Sequence, residues 1–250
     1  IGLSERRAAW LTAWLADVVK ARKSLVGRIG DVLGRLSFAA NAVEEVKPFL
    51  GPVFAFVAAA PPNAFADVPA TLLLIFEYLR IIFSDINLYR TKVMPIQPGC
   101  AKVRADAKAE GMTVAIGGWL VPDSGSAKDA PWYEITLTKA TAPWAFASGE
   151  PFRTIATLEL YATLVCIMAF DVGHGKSDGC LLSLAGETDN AGNSFIVNRM
   201  MTTKWPLAAV LMETAIQIRQ RKIDMHLEWI PRLQNIEADA LTSQEFNAFD

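Results

Sequence analysis

The chain has 250 residues, 52% of them hydrophobic and 20% charged, with a formal net charge of −2. That length can bury one large core or two modest ones, and the composition excludes a disordered or low-complexity chain. Its three cysteines, Cys100, Cys166 and Cys180, have no CxxC or CxH spacing, which argues against a disulfide framework or zinc site and for a reducing compartment.

In chain order, the first 93 residues read as helical throughout. Ser4 is a candidate N-cap, and Trp10, Leu11, Trp14, Leu15, Val18 and Val19 share one helical face, so both tryptophans are expected to pack. A second helix begins near Leu25, and Pro48 and Pro69 are placed to open a third and a fourth. Arg6 and Arg7 lead into this amphipathic pattern rather than into a secretory signal, so an intracellular location, nucleus or cytoplasm, is expected. Pro48 to Ala66 carries no charge but holds several prolines, and Val68 to Phe83 carries Glu77 and Arg80. Both read as buried helices, with no membrane span expected. A mean hydropathy of +0.26 nevertheless implies apolar surface covered by a further partner or by the rest of a longer polypeptide.

Pro95, Pro98 and Gly99 mark a linker over 94–99, dividing a domain of residues 1–93 from one of residues 100–250. Up to residue 98 there are 11 Lys and Arg against 8 Asp and Glu; beyond it there are 13 against 18. The acidic excess of the second part fits a cation-binding cluster better than a strong independent nucleic-acid binder.

Periodicity changes at Cys100. Ala101 to Ala107 and Met112 to Val121 read as a strand pair turning near Glu110-Gly111, and Tyr133 to Thr138 as a third strand after the polar loop Asp123 to Asp129. A helix over about Arg153 to Phe170 carries Glu159 in its second turn. Leu181 to Thr188 is a fourth strand delivering Asp189 at its carboxyl end, where open α/β sheets bind ligands. Helices over Ala191 to Met201 and Pro206 to Lys222, a strand over Ile223 to Ile230, and a last helix from Ile236 holding Asp239 complete the order βββαβααβα.

Asp106, Glu159, Asp189 and Asp239 thus each stand where an apolar segment ends or a helix begins. Alone, each reads as a strand end or a cap; together, three or four carboxylates without His or Cys suit two Mg²⁺ ions and a phosphate. In order and context these segments resemble the ribonuclease H domain of reverse-transcribing elements: Asp106 on the first strand, Glu159 on the first helix, Asp189-Asn190 after the fourth strand, and Asn235 to Leu241 as the closing Asn-x-x-Ala-Asp-x-Leu. Gly117-Gly118-Trp119, Leu158-Glu159-Leu160 and Trp229-Ile230-Pro231-Arg232 resemble the versions carried by retrotransposons. The resemblance covers roughly 100 to 245, and its last block is the most specific.

The resemblance implies an α/β ribonuclease H-like fold, a five-stranded mixed sheet flanked by helices, preceded by an all-α domain. It implies cleavage of the RNA strand of RNA/DNA hybrids with two Mg²⁺ ions, or Mn²⁺, as cofactors. Asp106 would bridge the ions, Glu159 and Asp189 would complete one site, and Asp239 the other. Leu33 to Phe38 and Lys47 to Pro52 resemble the thumb and connection region of a reverse transcriptase, while that polymerase's Tyr-x-Asp-Asp signature is absent from the chain.

Contacts to RNA 2′-hydroxyls are open to Asn190, Asn193 and the backbone of Ala107 to Gly111, and each Asn serves equally as a helix cap. Arg232 could touch a phosphate or be merely solvated. The family's loop His before the last Asp is missing from Pro231-Arg232-Leu233-Gln234, implying slower or differently assisted turnover; His174 and His226 have no context for a role. Trp119 and Trp229 could face the hybrid or lie in the core. Two rival functions remain: a domesticated, non-catalytic scaffold subunit of a larger assembly, and a DNA-cutting nuclease of the same fold.

Overall fold

The computed structural model describes residues 2–89, 96–172 and 181–250. The chain divides into two compact units, Ile1–Val93 with Met200–Ala208, and Met94–Arg199 with Ala209–Asp250. The sequence reading had placed 200–208 with the second domain. His174, Cys180 and the start of the expected linker lie outside the described residues.

The first unit holds α1 (Glu5–Ala21), α2 (Val26–Ala39), α3 (Lys47–Ala59), α4 (Ala70–Ser84) and the short α5 (Ile86–Tyr89). Leu11, Trp14, Leu15 and Val18 form the buried stripe of α1, and Trp14 meets Phe76 of α4 edge to face at 5.9 Å. Trp10 departs from expectation. It stays 41% exposed, with the Arg35 guanidinium stacked 4.1 Å from its ring centre. The unit is also not wholly helical: β1 (Lys23–Leu25) and β2 (Phe65–Asp67) pair antiparallel, with Lys23 opposite Asp67 and their charges 3.3 Å apart. Three-residue strands are too short to leave a period in the sequence. The uncharged run after Pro48 is broken where α3 ends at Ala59, and α4 buries Leu72, Ile75, Phe76, Leu79 and Phe83 inside the unit.

The second unit is built on a sheet of order β5-β4-β3-β6-β7. Its strands are β3 (Ile96–Glu110), β4 (Thr113–Val121), β5 (Trp132–Leu137), β6 (Leu181–Thr188) and β7 (Ile223–Trp229). β3 pairs antiparallel with β4, and β4 with β5; β3 pairs parallel with β6, and β6 with β7. The antiparallel half follows from the short links, since Gly111 at φ +59° allows a two-residue hairpin. The parallel half needs the crossover helices α6 (Ile155–Ala169), α7 (Ala191–Arg199) and α8 (Leu207–Arg221). β3 takes in residues 96–99, which the sequence assigned to a linker, and its register with β6 shifts between Gln97 and Cys100, where Pro98 has no N–H to give.

Helices cover both faces. A Cβ on Gly118 would strike the Cys166 sulfur of α6, and one on Gly117 would lie 2.7 Å from Leu241 Cβ of α9 (Ile236–Thr242). Adjacent glycines therefore let two helices approach opposite faces of one strand. The α9 face is sealed by Trp119, Ala238, Leu241 and Phe249. Among the described residues, Pro151–Ala169 is long and apolar enough to cross a membrane, and half of it is buried.

Candidate active site

Three of the four acids singled out in the sequence converge. Asp106 lies near the end of β3, Glu159 on the second turn of α6, and Asp189 one residue past β6. One oxygen from each lies within 4.8 Å of the others. Asp106 is buried, and Glu159 and Asp189 are partly so.

Gathering carboxylates there is electrostatically costly. Burial, then the charges of Asp189 and Asp239, push the Asp106 carboxyl up to about 7, although the Ala107 N–H and Arg232 pull the other way. Burial also raises Glu159 to about 7, partly countered by a hydrogen bond from Asn190 and augmented by the charges of Asp106 and Asp189. The donor set is all oxygen. Around a hard cation with ligands at about 2.1 Å, octahedral geometry sets oxygens about 3 to 4 Å apart, so these side chains fit Mg²⁺ or Mn²⁺ with small adjustment.

Asp239, on α9, is not part of this close group. Its Oδ1 accepts from Arg232 Nη2 at 2.9 Å, and its side chain is 44% exposed. Its charge nonetheless bears on Asp106. Arg232 is itself largely exposed, and its guanidinium is held further in the charged state by that bond and by the nearby acids.

Two asparagines weighed as substrate contacts are turned to the protein. Asn190 Nδ2 donates to Glu159 Oε2 at 2.5 Å, and its Oδ1 accepts from the Asn193 N–H at 3.1 Å, capping the first turn of α7. Asn193 is 1% exposed and donates to the Ala156 carbonyl at 2.8 Å and Glu159 at 3.3 Å, so it has no free face for a hybrid. Both hold the Glu159 carboxylate in place. α7 is fixed in turn by Asn198, which bonds the N–H and carbonyl of Leu227 on β7.

Asn235 has a role the sequence pattern did not reveal. Buried at the start of α9, it donates from Nδ2 to the Ala105 carbonyl, the residue before Asp106. The Asn-x-x-Ala-Asp spacing thereby ties the helix of Asp239 to the strand of Asp106. Of the tryptophans weighed as facing substrate, Trp119 is fully buried. Trp229 is half exposed, its indole N–H donating to the Asp189 carbonyl at 3.1 Å. His226 is exposed on β7.

The sheet order, the change from antiparallel to parallel pairing at β3, and helices on both faces make the second unit a ribonuclease H-like α/β fold. No protein-family model and no curated protein matches the sequence. Solved structures similar to it include RNase H1 from the archaeon Halobacterium salinarum, at 18% identity, covering 60% of this chain and 98% of that one with a TM-score of 0.42. Another is the N-terminal RNase H domain of Rv2228c from Mycobacterium tuberculosis, at 17% identity, 60% and 94% coverage and a TM-score of 0.43. A third is LC11-RNase H1 in complex with an RNA/DNA hybrid, at 14% identity, 59% and 96% coverage and a TM-score of 0.44.

Proposed function

We propose that this chain is a divalent-cation-dependent endonuclease that cleaves the RNA strand of RNA/DNA hybrids. The observation that carries this reading is the meeting of Asp106, Glu159 and Asp189, drawn from three distant segments, within 4.8 Å at one corner of the sheet. A cluster with two carboxyl groups raised to about 7 gains nothing for folding, and its electrostatic cost is relieved by a bound cation. The neighbour solved with a hybrid supplies the substrate class as an analogy of fold.

In this reading Asp106, Glu159 and Asp189 hold the cation, Asp239 serves a second, and Asn190 and Asn193 orient Glu159. Divalent cations, when bound, supply Lewis-acid polarisation of the phosphate and an activated water. Arg232, exposed beside Asp239, offers a guanidinium to the phosphate backbone. The helical unit and the sequence resemblance favour a source in the C-terminal part of a retroelement reverse transcriptase. There the first unit would be thumb and connection and the second the nuclease, acting in nucleus or cytoplasm.

A second reading, a non-catalytic scaffold, is favoured by one observation: Phe65 and Leu74 of the first unit are about 70% exposed, as surface awaiting a partner would be. Incubating the purified chain with a labelled RNA/DNA hybrid in Mg²⁺, Mn²⁺ or EDTA separates the two. RNA cleavage in either cation, abolished by EDTA, supports the nuclease; intact hybrid in all three removes it.

A further inference from the structure

Arg104 sits two residues before Asp106 on β3, and Glu187 two residues before Asp189 on β6. They are Cα partners in the parallel ladder, and theirs is its last pair. Glu187 spends both oxygens: Oε1 accepts from Lys102 Nζ at 2.9 Å and Oε2 from Arg104 Nε at 2.5 Å. The Arg104 Nη1 turns the other way, donating to the Gln234 carbonyl at 3.0 Å and lying 3.4 Å from Glu237 Oε2. One guanidinium therefore joins β3, β6 and the loop that leads into α9. Beyond the Arg104–Glu187 pair the two strands are no longer bonded to each other, and that is where Asp106 and Asp189 face the gap.

We infer that Arg104 is a positioning residue for the cation cluster, setting the spacing of Asp106, Asp189 and Asp239 through Glu187 and the Gln234 carbonyl without touching cation or substrate. The inference rests on the cluster's being a divalent-cation site. A tether at the last bonded pair decides how far the chain ends beyond it can splay, and so how many carboxylate oxygens one small ion can reach. The task needs a planar fork. Nε and Nη1 point to different elements from one rigid group, whereas a lysine at this position carries its charge on a single nitrogen and lacks the two fixed, separately aimed donors. Glu187 has both oxygens engaged by cationic donors, and that internal pairing is what sets it apart from the cluster.

Arg104→Lys keeps a positive charge beside Glu187 and loses the second branch; the double variant Arg104→Met with Glu187→Gln removes both charges together and guards against misfolding of the first. For each, melting of the metal-free protein, calorimetric binding of Mg²⁺ and Mn²⁺ alone, and kcat and KM on a hybrid are compared with the parent chain. The expected result for Arg104→Lys is a folded protein with cation affinity down roughly 10-fold, kcat reduced at limiting Mg²⁺, and KM for the hybrid unchanged. Parental cation affinity in a folded variant overturns the inference, as does a change confined to KM. A parent chain that binds Mg²⁺ but leaves the hybrid intact refutes the nuclease reading alone, and the cation affinities still decide Arg104. A parent chain that binds neither cation overturns both.

Discussion

Asp106 and Glu187 lie on neighbouring strands of one sheet, each 7% exposed, yet their carboxyl groups are driven in opposite directions. Burial raises both. At Glu187 the Lys102 ammonium and the Arg104 guanidinium more than offset it, and the group ends below the ordinary glutamate range. At Asp106 the neighbours are other carboxylates, and the group ends at about 7. An acid matched by internal cations is finished as structure; an acid left among like charges is poised for a cation from outside.

The largest effect should come from removing one of the unmatched acids. Asp189→Asn keeps the shape of the corner but deletes a ligand, and cleavage should fall at least about 1000-fold, on the order of 4 kcal/mol in the barrier. The same change relieves Asp106 and Glu159, so the metal-free protein should melt no lower than the parent. A variant that cleaves at the parental rate takes Asp189 out of the chemistry, and one that melts much lower makes it structural.

Glu187→Gln is the mirror experiment. It strands Lys102 and Arg104 beside a neutral partner, and because Arg104 is 21% exposed the loss should be about 2 to 3 kcal/mol, seen as a lower urea midpoint in EDTA. Unchanged stability would mean that the buried pair is matched by water and the contrast with Asp106 is false.

The two kinds of acid also carry opposite pH signatures. Asp106 and Glu159 bind more protons folded than unfolded between about pH 4 and 7, so metal-free stability should fall as pH rises through that window. Between pH 5 and 8 the drop should be about 2 kcal/mol, discounting the coupling and partial exposure of the pair. Saturating Mg²⁺ should flatten it. Glu187, with its lowered value, stabilises above the ordinary glutamate range and loses that contribution as pH falls. Urea midpoints at pH 5 and 8, with EDTA or Mg²⁺, separate the two; a midpoint in EDTA that rises with pH contradicts the Asp106 side.

Much of this was legible in the residues. Strand alternation, the hairpin glycine and the βββαβααβα order placed Asp106, Glu159 and Asp189 where they stand, because each depends on local periodicity and on which end of an element a residue occupies. Glu187 was not legible. One acid in the strand that leads to Asp189 looks like a solvated strand end, and only the register of β3 against β6 shows two cations beside it. Asn193 followed the same rule: its sequence position suits a cap or a contact, and burial under α6 decides that it serves Glu159. The β1–β2 ribbon and the grouping of Met200–Ala208 with the first unit depend on long-range pairing that no window of sequence contains.

Asp239 stands between the two kinds of acid, and the smallest prediction tests which it resembles. Its partner Arg232 is local and exposed, with the two side chains 77% and 44% accessible, whereas Glu187 is itself enclosed and its partner Arg104 is 21% accessible. An exposed pair of this sort is worth about 0 to 1 kcal/mol, so Arg232→Gln should lower the melting temperature by no more than about 4 °C. The corner, however, loses a positive charge that acts on Asp106 as well as Asp239. Calorimetric Mg²⁺ affinity should therefore rise about 2- to 3-fold at low ionic strength, and the gain should shrink in 0.5 M salt, where charges are screened within about 4 Å. An affinity that instead falls would make Arg232 part of the scaffold that shapes Asp239, placing that acid with Glu187 among the matched ones.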